Sequence, residues 1–318
     1  MKPLVLIFCA LCAFSWPTHA QKKTDPNKFV VIVNGAGGEP VYAKQFEEWT
    51  AQLSAVLSDR FGFEQKQVTV LKGATSDDVQ RTFATLKTQL DANNVLFVFL
   101  IGHGSFDGKE SKFNLVGRDL SAADYNGLLS ALPTRRIVVF NMSSASGEFI
   151  KSLSAKGRII VTATKSGQET NATRFAGFLI SALNATDADT DQDGHTSVLE
   201  AFIYANRLTA DFYKQAGRLA TEHAVFDDND DGVGHEKLEA GDGLLARATY
   251  LDSLSVDEAA ASVATGRLVK ERARLEGEIE QLIARKGSMA GAEYEATLER
   301  LFIELAKVNR SIKQAGSE

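Results

Sequence analysis

Five short apolar runs alternate with longer amphipathic stretches between Phe29 and about Asn184. The runs are rich in Val, Ile, Leu and Phe, which is typical of parallel strands buried on both faces. The stretches between them repeat apolar residues at helical spacing behind capping residues. The pattern therefore predicts a three-layer α/β domain with a mostly parallel sheet. The strand-like runs cover residues 29–35, 67–73, 94–104, 135–142 and 157–164.

The last part of the chain, 251–318, has a different pattern from the α/β domain that we place at 21–250. It is polar, rich in alanine and without proline, and its apolar residues fall at the seam spacing of paired helices. The sequence 285–291 interrupts the two runs, so we predict an antiparallel helical hairpin. The hairpin packs on its own body or, as a coiled coil, on a partner. The seam residues are Leu268, Leu275, Ile279, Leu282, Tyr294, Leu298, Leu301, Leu305, Val308 and Ile312.

Residues 1–20 have the features of a secretory signal peptide: a lysine, a short apolar stretch, and a cleavage site near Ala20. We therefore expect a secreted or periplasmic protein without a membrane span after signal removal; a retained N-terminal anchor is the alternative. Both cysteines of the chain, Cys9 and Cys12, lie in this segment. The mature chain would have no thiol, and hence no disulfide and no cysteine nucleophile.

Composition limits the classes of function. The chain of 318 residues is 44% hydrophobic and 24% charged, which is sufficient for a full core. Its formal net charge of −6, with no basic patch, gives no indication of nucleic-acid binding.

Two neighbouring predicted strands end in small polar residues. One ends in Leu-Ile-Gly-His-Gly-Ser, 100–105, and the next in Asn-Met-Ser-Ser-Ala-Ser-Gly, 141–147. Active sites of open parallel sheets form beyond the carboxyl ends of the strands. The two ends would bring a base and a nucleophile within reach of each other, and their glycines would let backbone N–H groups face a substrate carbonyl.

At these residues the sequence resembles the caspase-like cysteine peptidases, especially the legumain-like branch. In that family a strand ends in His-Gly and the following long strand ends in a Cys-x-Ser-Gly turn. The resemblance covers roughly 29–185 and implies that His103 is the counterpart of the catalytic histidine, and Gly104 of the residue whose amide helps to bind the oxyanion. It places Ser144 at the nucleophilic cysteine. The closing Ser-Gly of the turn would be Ser146 and Gly147.

Ser144 departs from the family at the position that defines its activity. A thiol ionises near neutral pH, so a loosely coupled histidine is sufficient to activate it. A serine hydroxyl needs a base in direct hydrogen-bond contact, and a third group must orient that base. Asp107 is the only local candidate for such a group. We therefore favour a pseudopeptidase in which Ser144 is a structural turn residue.

The most specific motif lies downstream, in Asp189–Glu200. The sequence Asp-Thr-Asp-Gln-Asp-Gly-His-Thr-Ser-Val-Leu-Glu fits the EF-hand calcium loop at every specified position. Gly194 would form the sharp turn, and an acidic loop without metal is the alternative. The predicted ligands are Asp189, Asp191, Asp193, His195 through its carbonyl, Ser197 directly or through water, and Glu200 as the bidentate carboxylate.

A second acidic loop, 227–238, repeats only the start of this motif. Asp227, Asn229 and Asp231 occupy the first ligand positions, but Leu238 stands where the bidentate glutamate belongs. The loop therefore binds a second ion, donates carboxylates to the first site, or forms an empty turn. Similar acidic segments accompany bacterial members of the legumain-like group.

The preferred hypothesis is an exported, calcium-binding peptidase homologue that is catalytically impaired and binds a peptide or protein in the cleft near His103 and Ser144. Two alternatives stay open. One is an active hydrolase that uses Ser144, or Ser143, with His103. The other is a non-enzymatic EF-hand module in which the α/β body is only a scaffold. An open cleft would favour the first two hypotheses, and a cleft filled by side chains the last.

Overall fold

The computed structural model describes residues 25–134, 136–191, 195–239, 241–251 and 289–315, and positions 268, 271, 272, 274, 275, 278, 279 and 282. The predicted signal peptide, 1–20, lies outside the described residues. No helix within the described ranges is both long enough and apolar enough to cross a membrane.

A six-stranded sheet forms the centre of the α/β domain, in the order β2-β1-β3-β7-β8-β9. The first five of these strands are parallel, and β9 pairs with β8 in the antiparallel direction. The predicted mostly parallel sheet is therefore confirmed, with an added edge strand that the sequence pattern did not indicate. The strands are β1 (Lys28–Asn34), β2 (Val68–Leu71), β3 (Val95–Ile101), β7 (Arg136–Asn141), β8 (Arg158–Thr162) and β9 (Val225–Asp227).

A second, three-stranded antiparallel sheet follows directly after β3 and corrects the predicted strand 94–104. Strand β3 ends at Ile101, and His103 no longer belongs to it. The Cβ of a larger residue at Gly102 would come within 2.9 Å of the Phe113 ring, so glycine is needed where the chain turns. The strands of this sheet are β4 (Gly104–Phe106), β5 (Ser111–Phe113) and β6 (Leu120–Ser121).

Helices cover both faces of the large sheet, and three of them begin at a capping box. The side chains of Thr75, Ser121 and Ser197 each accept a hydrogen bond from the backbone N–H of the residue three positions later. The side chain of that later residue accepts a hydrogen bond from the backbone N–H of the capping residue in return. A π-helical turn, Val56–Arg60, extends the first helix. The helices are α1 (Pro40–Ala55), α2 (Ser76–Gln89), α3 (Ala122–Ser130), α4 (Phe149–Leu153), α5 (Phe175–Asn184), α6 (Val198–Gln215), α7 (Leu244–Arg247) and α8 (Gly291–Ala315).

The two faces of the sheet form separate hydrophobic layers. Phe97, Phe99 and Phe140 lie on the face covered by α1, α5 and α6, whereas the alternate residues Val98 and Leu100 lie on the face covered by α2, α3 and α4. Phe99 and Phe140 stack on adjacent strands with their centroids 4.8 Å apart. The alternation of side chains along each strand thus gives the predicted three layers.

The C-terminal region has its own small core. Leu275, Ile279 and Leu282 pack with Tyr294 and Leu301, which lie on α8. Leu298, Leu305 and Val308 pack against this cluster, in agreement with the predicted seam. The segment that would join the α/β domain to this region, 252–267, lies outside the described residues.

The N-terminus of α5 is capped from a distant part of the chain. Helix α5 has no side-chain cap of its own. Instead, the Glu222 carboxylate accepts hydrogen bonds from the backbone N–H groups of Arg174, at 2.9 Å, and Phe175, at 3.1 Å. The Tyr213 hydroxyl donates to the same carboxylate at 3.0 Å. Glu222, which is 3% exposed, therefore ties α5 to α6 and to the segment that enters β9.

We predict that Glu222→Ala lowers the free energy of unfolding by about 2–4 kcal/mol, because the two backbone N–H groups and the Tyr213 hydroxyl lose their buried acceptor. Urea denaturation monitored by circular dichroism measures this change. The exposed Glu236, whose only described ion pair joins it to Lys165 at 3.8 Å, provides the control. Glu236→Ala should stay within about 0.5 kcal/mol of the native chain. Equal losses in the two variants would contradict the capping role of Glu222.

Candidate functional site

The two polar strand ends meet at the carboxyl edge of the sheet, because β3 and β7 are neighbours with Leu100 opposite Asn141. The structure therefore places His103 and Gly104 beside the turn 142–147, as the sequence predicts. Within that turn Ser143, Ser144 and Ser146 are all buried, with Ser144 2% exposed. The turn is filled by its own side chains and backbone.

The Ser144 hydroxyl forms hydrogen bonds with both backbone polar groups of Gly104, its N–H and its carbonyl. The Gly104 N–H donates to Ser144 Oγ at 3.1 Å, and Ser144 Oγ–H donates to the Gly104 carbonyl at 3.0 Å. The proton of Ser144 is thus directed at a carbonyl oxygen. The Gly104 N–H, which the resemblance predicts as an oxyanion donor, is also occupied by Ser144.

This pairing requires glycine at position 104. The Cβ of any other residue would lie 2.1 Å from the carbonyl oxygen of Ser144 and 2.7 Å from Ser143 Oγ. Ala145, the next residue of the turn, has φ 53°, in the left-handed region that non-glycine residues seldom adopt. Its N–H donates to the Glu169 carbonyl at 2.8 Å. The turn is therefore held in a strained conformation by hydrogen bonds to the neighbouring loop.

His103 is oriented towards α1. Its ring packs edge-on against Tyr42, at 4.8 Å between centroids, and against Phe46, at 5.0 Å. Burial among these rings lowers the pKa of His103, while a hydrogen bond to the Gly37 backbone and the charge of Glu39 oppose the shift. Both His103 and Ser144 are described, and no hydrogen bond joins their side chains. The structure brings the two predicted residues to one edge but does not couple them.

Neither of the two auxiliary residues considered in the sequence takes part in a catalytic arrangement. Asp107, the candidate orienting group, lies in the β4–β5 turn, where it accepts the N–H groups of Lys109 and Glu110. Ser143 is fully buried and donates its hydroxyl proton to Asn141 Oδ1 at 2.7 Å. Ser146 Oγ lies 3.1 Å from the Thr164 hydroxyl, two residues beyond the end of β8. These contacts fix the local turns.

The first acidic loop gathers carboxylates at the start of α6. Asp189, Asp191 and Glu200 each offer one oxygen, and these oxygens lie within 4.8 Å of one another. Glu200 Oε1 accepts the N–H and hydroxyl of Thr190, at 2.8 and 2.9 Å. Asp193, another predicted ligand, lies outside the described residues. Oxygens at this separation suit a divalent cation that prefers carboxylate ligands.

Ser197 and His195 have contacts that the loop motif did not indicate. Ser197 is the N-cap of α6, and its hydroxyl donates to Glu200 Oε2 at 2.8 Å. The His195 ring lies 5.8 Å from the ring of Tyr250, and Ser197 pairs with Tyr250 through an antiparallel bridge. Glu200 therefore holds both the loop, through Thr190, and the helix cap, through Ser197.

The second acidic loop begins within β9 and is held by hydrogen bonds among its own residues and to Asp242. Asp227 accepts the N–H groups of Asn229 and Gly232, each at 3.2 Å. The Asn229 amide donates to Asp231, at 3.2 Å, and to Asp242, at 2.9 Å. Burial raises the pKa of Asp227 and of Asp242. Asp242, four residues beyond Leu238, was not selected from the sequence because it lies outside the twelve-residue register.

A glutamate–histidine pair on the same edge of the sheet was also missed. Glu169 lies next to the Ser144 turn, and its Oε1 is 2.5 Å from Nδ1 of His223. The other carboxylate oxygen of Glu169 accepts the N–H groups of Lys165, at 3.0 Å, and His223, at 3.1 Å. No local sequence signal could identify this pair, because its members are 54 residues apart and neither belongs to a motif.

A groove of about 410 Å³ runs beside His223, between α6 and the segments on either side of β9. Its apolar wall includes Phe202, Ile203 and Leu238, and Arg207 and Lys237 stand among its polar residues. This groove is distinct from the buried turn that contains Ser144.

Comparisons with known proteins give structural likeness without sequence relatives. No protein-family model and no curated protein matches the chain. A Geobacter sulfurreducens protein from structural genomics aligns with TM-score 0.44 and 14% identity, over 64% of this chain and 93% of its own. Caspase-1 from Spodoptera frugiperda aligns with TM-score 0.40 and 14% identity, over 65% of this chain and 88% of its own. Because both scores are below 0.5, we assign the fold class from the strand order and layers themselves.

We predict that His103 makes the stability of the chain depend on pH. Because its folded pKa is lowered, its contribution is complete above the ordinary histidine pKa of about 6.5 and is lost as the pH falls towards the folded pKa. Between about pH 7 and 5, the free energy of unfolding should decrease more for the native chain than for His103→Gln. Urea titrations at several pH values measure the difference, and parallel profiles would contradict it.

Proposed function

We propose that this protein is a catalytically inactive homologue of the caspase/legumain-type peptidases that binds calcium through the loop Asp189–Glu200. The observation that carries the first half of the proposal is the double hydrogen bond between the Ser144 hydroxyl and the Gly104 backbone. The α/β fold with a mostly parallel sheet, and the His-Gly and Ser-x-Ser-Gly strand ends at one edge of it, support the peptidase ancestry.

Serine catalysis has three requirements that the described residues of this edge do not meet. A base must accept the serine proton, but that proton is directed to the Gly104 carbonyl. A third group must orient the base, but no hydrogen bond to a carboxylate is described for the His103 ring, which is bonded to the Gly37 backbone, packs on Tyr42 and Phe46, and feels Glu39 only through its charge. An oxyanion needs free N–H donors, but the Gly104 N–H is already bonded. These features support inactivity and make the hydrolase alternative the weaker one, also for the buried Ser143.

Because the turn that contains Ser144 is filled, the impaired-peptidase hypothesis and the EF-hand scaffold hypothesis both describe a non-catalytic α/β body. The burial of the three serines of this turn favours an α/β body that serves as a non-catalytic scaffold, as in the EF-hand alternative. The impaired-peptidase hypothesis differs from that alternative only in whether a peptide binds near His103. Binding of a peptide or protein at this edge stays a prediction.

The chemistry of the acidic loop supports calcium as its ligand. Three carboxylates with oxygens within 4.8 Å form a hard-oxygen donor set, and the complete EF-hand spacing adds Asp193 and the His195 carbonyl. Glu200 would serve as the bidentate ligand at the start of α6. We also propose export through the signal peptide at 1–20. Extracellular calcium would then fill a site with Kd as weak as about 10⁻⁴–10⁻³ M.

For the absence of catalysis we predict that the purified native chain does not cleave a mixed peptide library, as followed by mass spectrometry. Ser144→Cys is the informative variant, because a thiolate needs less assistance from its histidine than a hydroxyl does. Cleavage by Ser144→Cys alone would attribute the inactivity of the native chain to the serine. Cleavage by the native chain that His103→Ala abolishes would contradict the proposal.

For calcium we predict that millimolar ion raises the Tm of the native chain by about 2–5 °C over chelator, because calcium binds the folded loop and not the unfolded chain. Glu200→Ala should remove most of the rise, because the bidentate ligand is lost. Asp227→Ala, in the second loop, is the matched control and should keep most of it. Coincident melting curves in calcium and chelator would refute the calcium site.

A further inference from the structure

An arginine from the C-terminal helical region is buried against the first acidic loop. Arg272 is 7% exposed. Its Nη1 lies 3.8 Å from Asp191 Oδ2, and its Nη2 donates to the Tyr250 hydroxyl at 2.8 Å. Asp191 is one of the three residues whose carboxylate oxygens converge in this loop. The helical region therefore contributes a cation to the site proposed for calcium.

Burial of this guanidinium needs a compensating negative charge. An arginine loses its hydration in such a position, and it is tolerated when carboxylates and hydrogen-bond acceptors replace the water. The loop carboxylates in turn need a positive charge, because Asp189, Asp191 and Glu200 repel one another when no cation is close. Arg272 offsets part of this charge, so the contact stabilises the loop and holds the helical turn at Arg272 on the α/β domain.

Calcium would compete with Arg272 for the same carboxylate. A calcium ion coordinates its oxygens at about 2.3–2.6 Å and would take Asp191 as a direct ligand. A divalent ion at that distance also repels the guanidinium, which already lies 3.8 Å from the same carboxylate. Arg272 and calcium each neutralise part of the negative charge of the loop carboxylates. Each interacts with these carboxylates more strongly when the other is absent.

We propose that Arg272 is a built-in competitor of calcium, so that ion binding to the loop displaces Arg272 and weakens its docking on the α/β domain. This inference rests on the proposed function, since it assumes that the loop binds calcium. By linkage, a contact that calcium weakens must lower calcium affinity by the same factor.

Tyr250 connects the two parts of this arrangement. Its hydroxyl accepts the hydrogen bond from Arg272, while its backbone pairs with Ser197 at the start of α6. The Thr249 carbonyl accepts the N–H of Val198 at 2.8 Å. The Tyr250 hydroxyl thus holds Arg272 on the segment that pairs with the calcium loop, so displacement of Arg272 also breaks a hydrogen bond at Tyr250.

Calcium titration by calorimetry gives the first test. We expect Arg272→Gln to bind calcium at least about fivefold more tightly than the native chain, because the competitor is removed. Arg274→Gln is the matched control. Arg274 lies on the same helical segment, is 48% exposed at its side chain, and pairs with Glu271 and Glu278 rather than with the loop. Its affinity should equal that of the native chain.

The sign of the change separates competition from support. If Arg272 instead positioned Asp191 as a ligand, its removal would weaken calcium binding, as loss of a partner behind a metal ligand does. Equal or weaker binding by Arg272→Gln would overturn the inference and leave the calcium site intact. If neither the native chain nor Arg272→Gln binds calcium, the proposed function itself is wrong and the inference fails with it.

Chemical modification of the native chain gives a second test that needs no variant. Phenylglyoxal reacts with accessible arginines, and mass spectrometry assigns the modified positions. We expect Arg272 to be protected in chelator and to react several-fold faster in calcium. Arg158, which is also 7% exposed and bonded to Asn126 and Ser130, should stay protected in both conditions. Equal protection of Arg272 with and without calcium would overturn the inference.

Discussion

The hydroxyl of Ser144 bonds both the N–H and the carbonyl of Gly104, and this contact decides what the carboxyl edge of the sheet can do. It joins the ends of two adjacent strands and exists only because Gly104 has no side chain. A thiol is larger and forms weaker hydrogen bonds than a hydroxyl, so a cysteine would not close the turn in the same way. Under the proposed peptidase ancestry, the serine at the position of the cysteine nucleophile thus also supplies the contact that closes the turn.

Hydrogen bonds extend from this turn to the remainder of the edge. Ala145 donates to the carbonyl of Glu169, whose side chain holds His223. The adjacent Glu222 caps α5 and accepts from Tyr213 on α6. Helix α6 begins at Ser197 and Glu200, within the first acidic loop. The filled turn and the proposed calcium site are therefore connected through buried polar groups rather than through the hydrophobic layers alone.

The sequence allowed prediction of those features that depend on local pattern. Apolar runs placed five strands within a few residues of their observed bounds. Ser197, predicted as a calcium ligand, proved to be the N-cap of α6, a role that the loop motif did not indicate. Strand β9 was missed because three residues within an acidic segment have no strand pattern. For Ser144 the sequence placed Gly104 nearby but did not indicate the double hydrogen bond between them. The partners of Arg272, Asp191 and Tyr250, could not be predicted, because they are distant in sequence and tertiary packing alone brings them together.

The closed state of Ser144 can be tested directly with a fluorophosphonate, which labels serines that act as nucleophiles. The native folded chain should show no adduct at Ser144 by mass spectrometry, since the hydroxyl proton is held by the Gly104 carbonyl and no hydrogen bond is described between Ser144 and the His103 side chain. A stoichiometric adduct at Ser144 that is lost in His103→Ala would contradict this account and identify the protein as an active serine hydrolase.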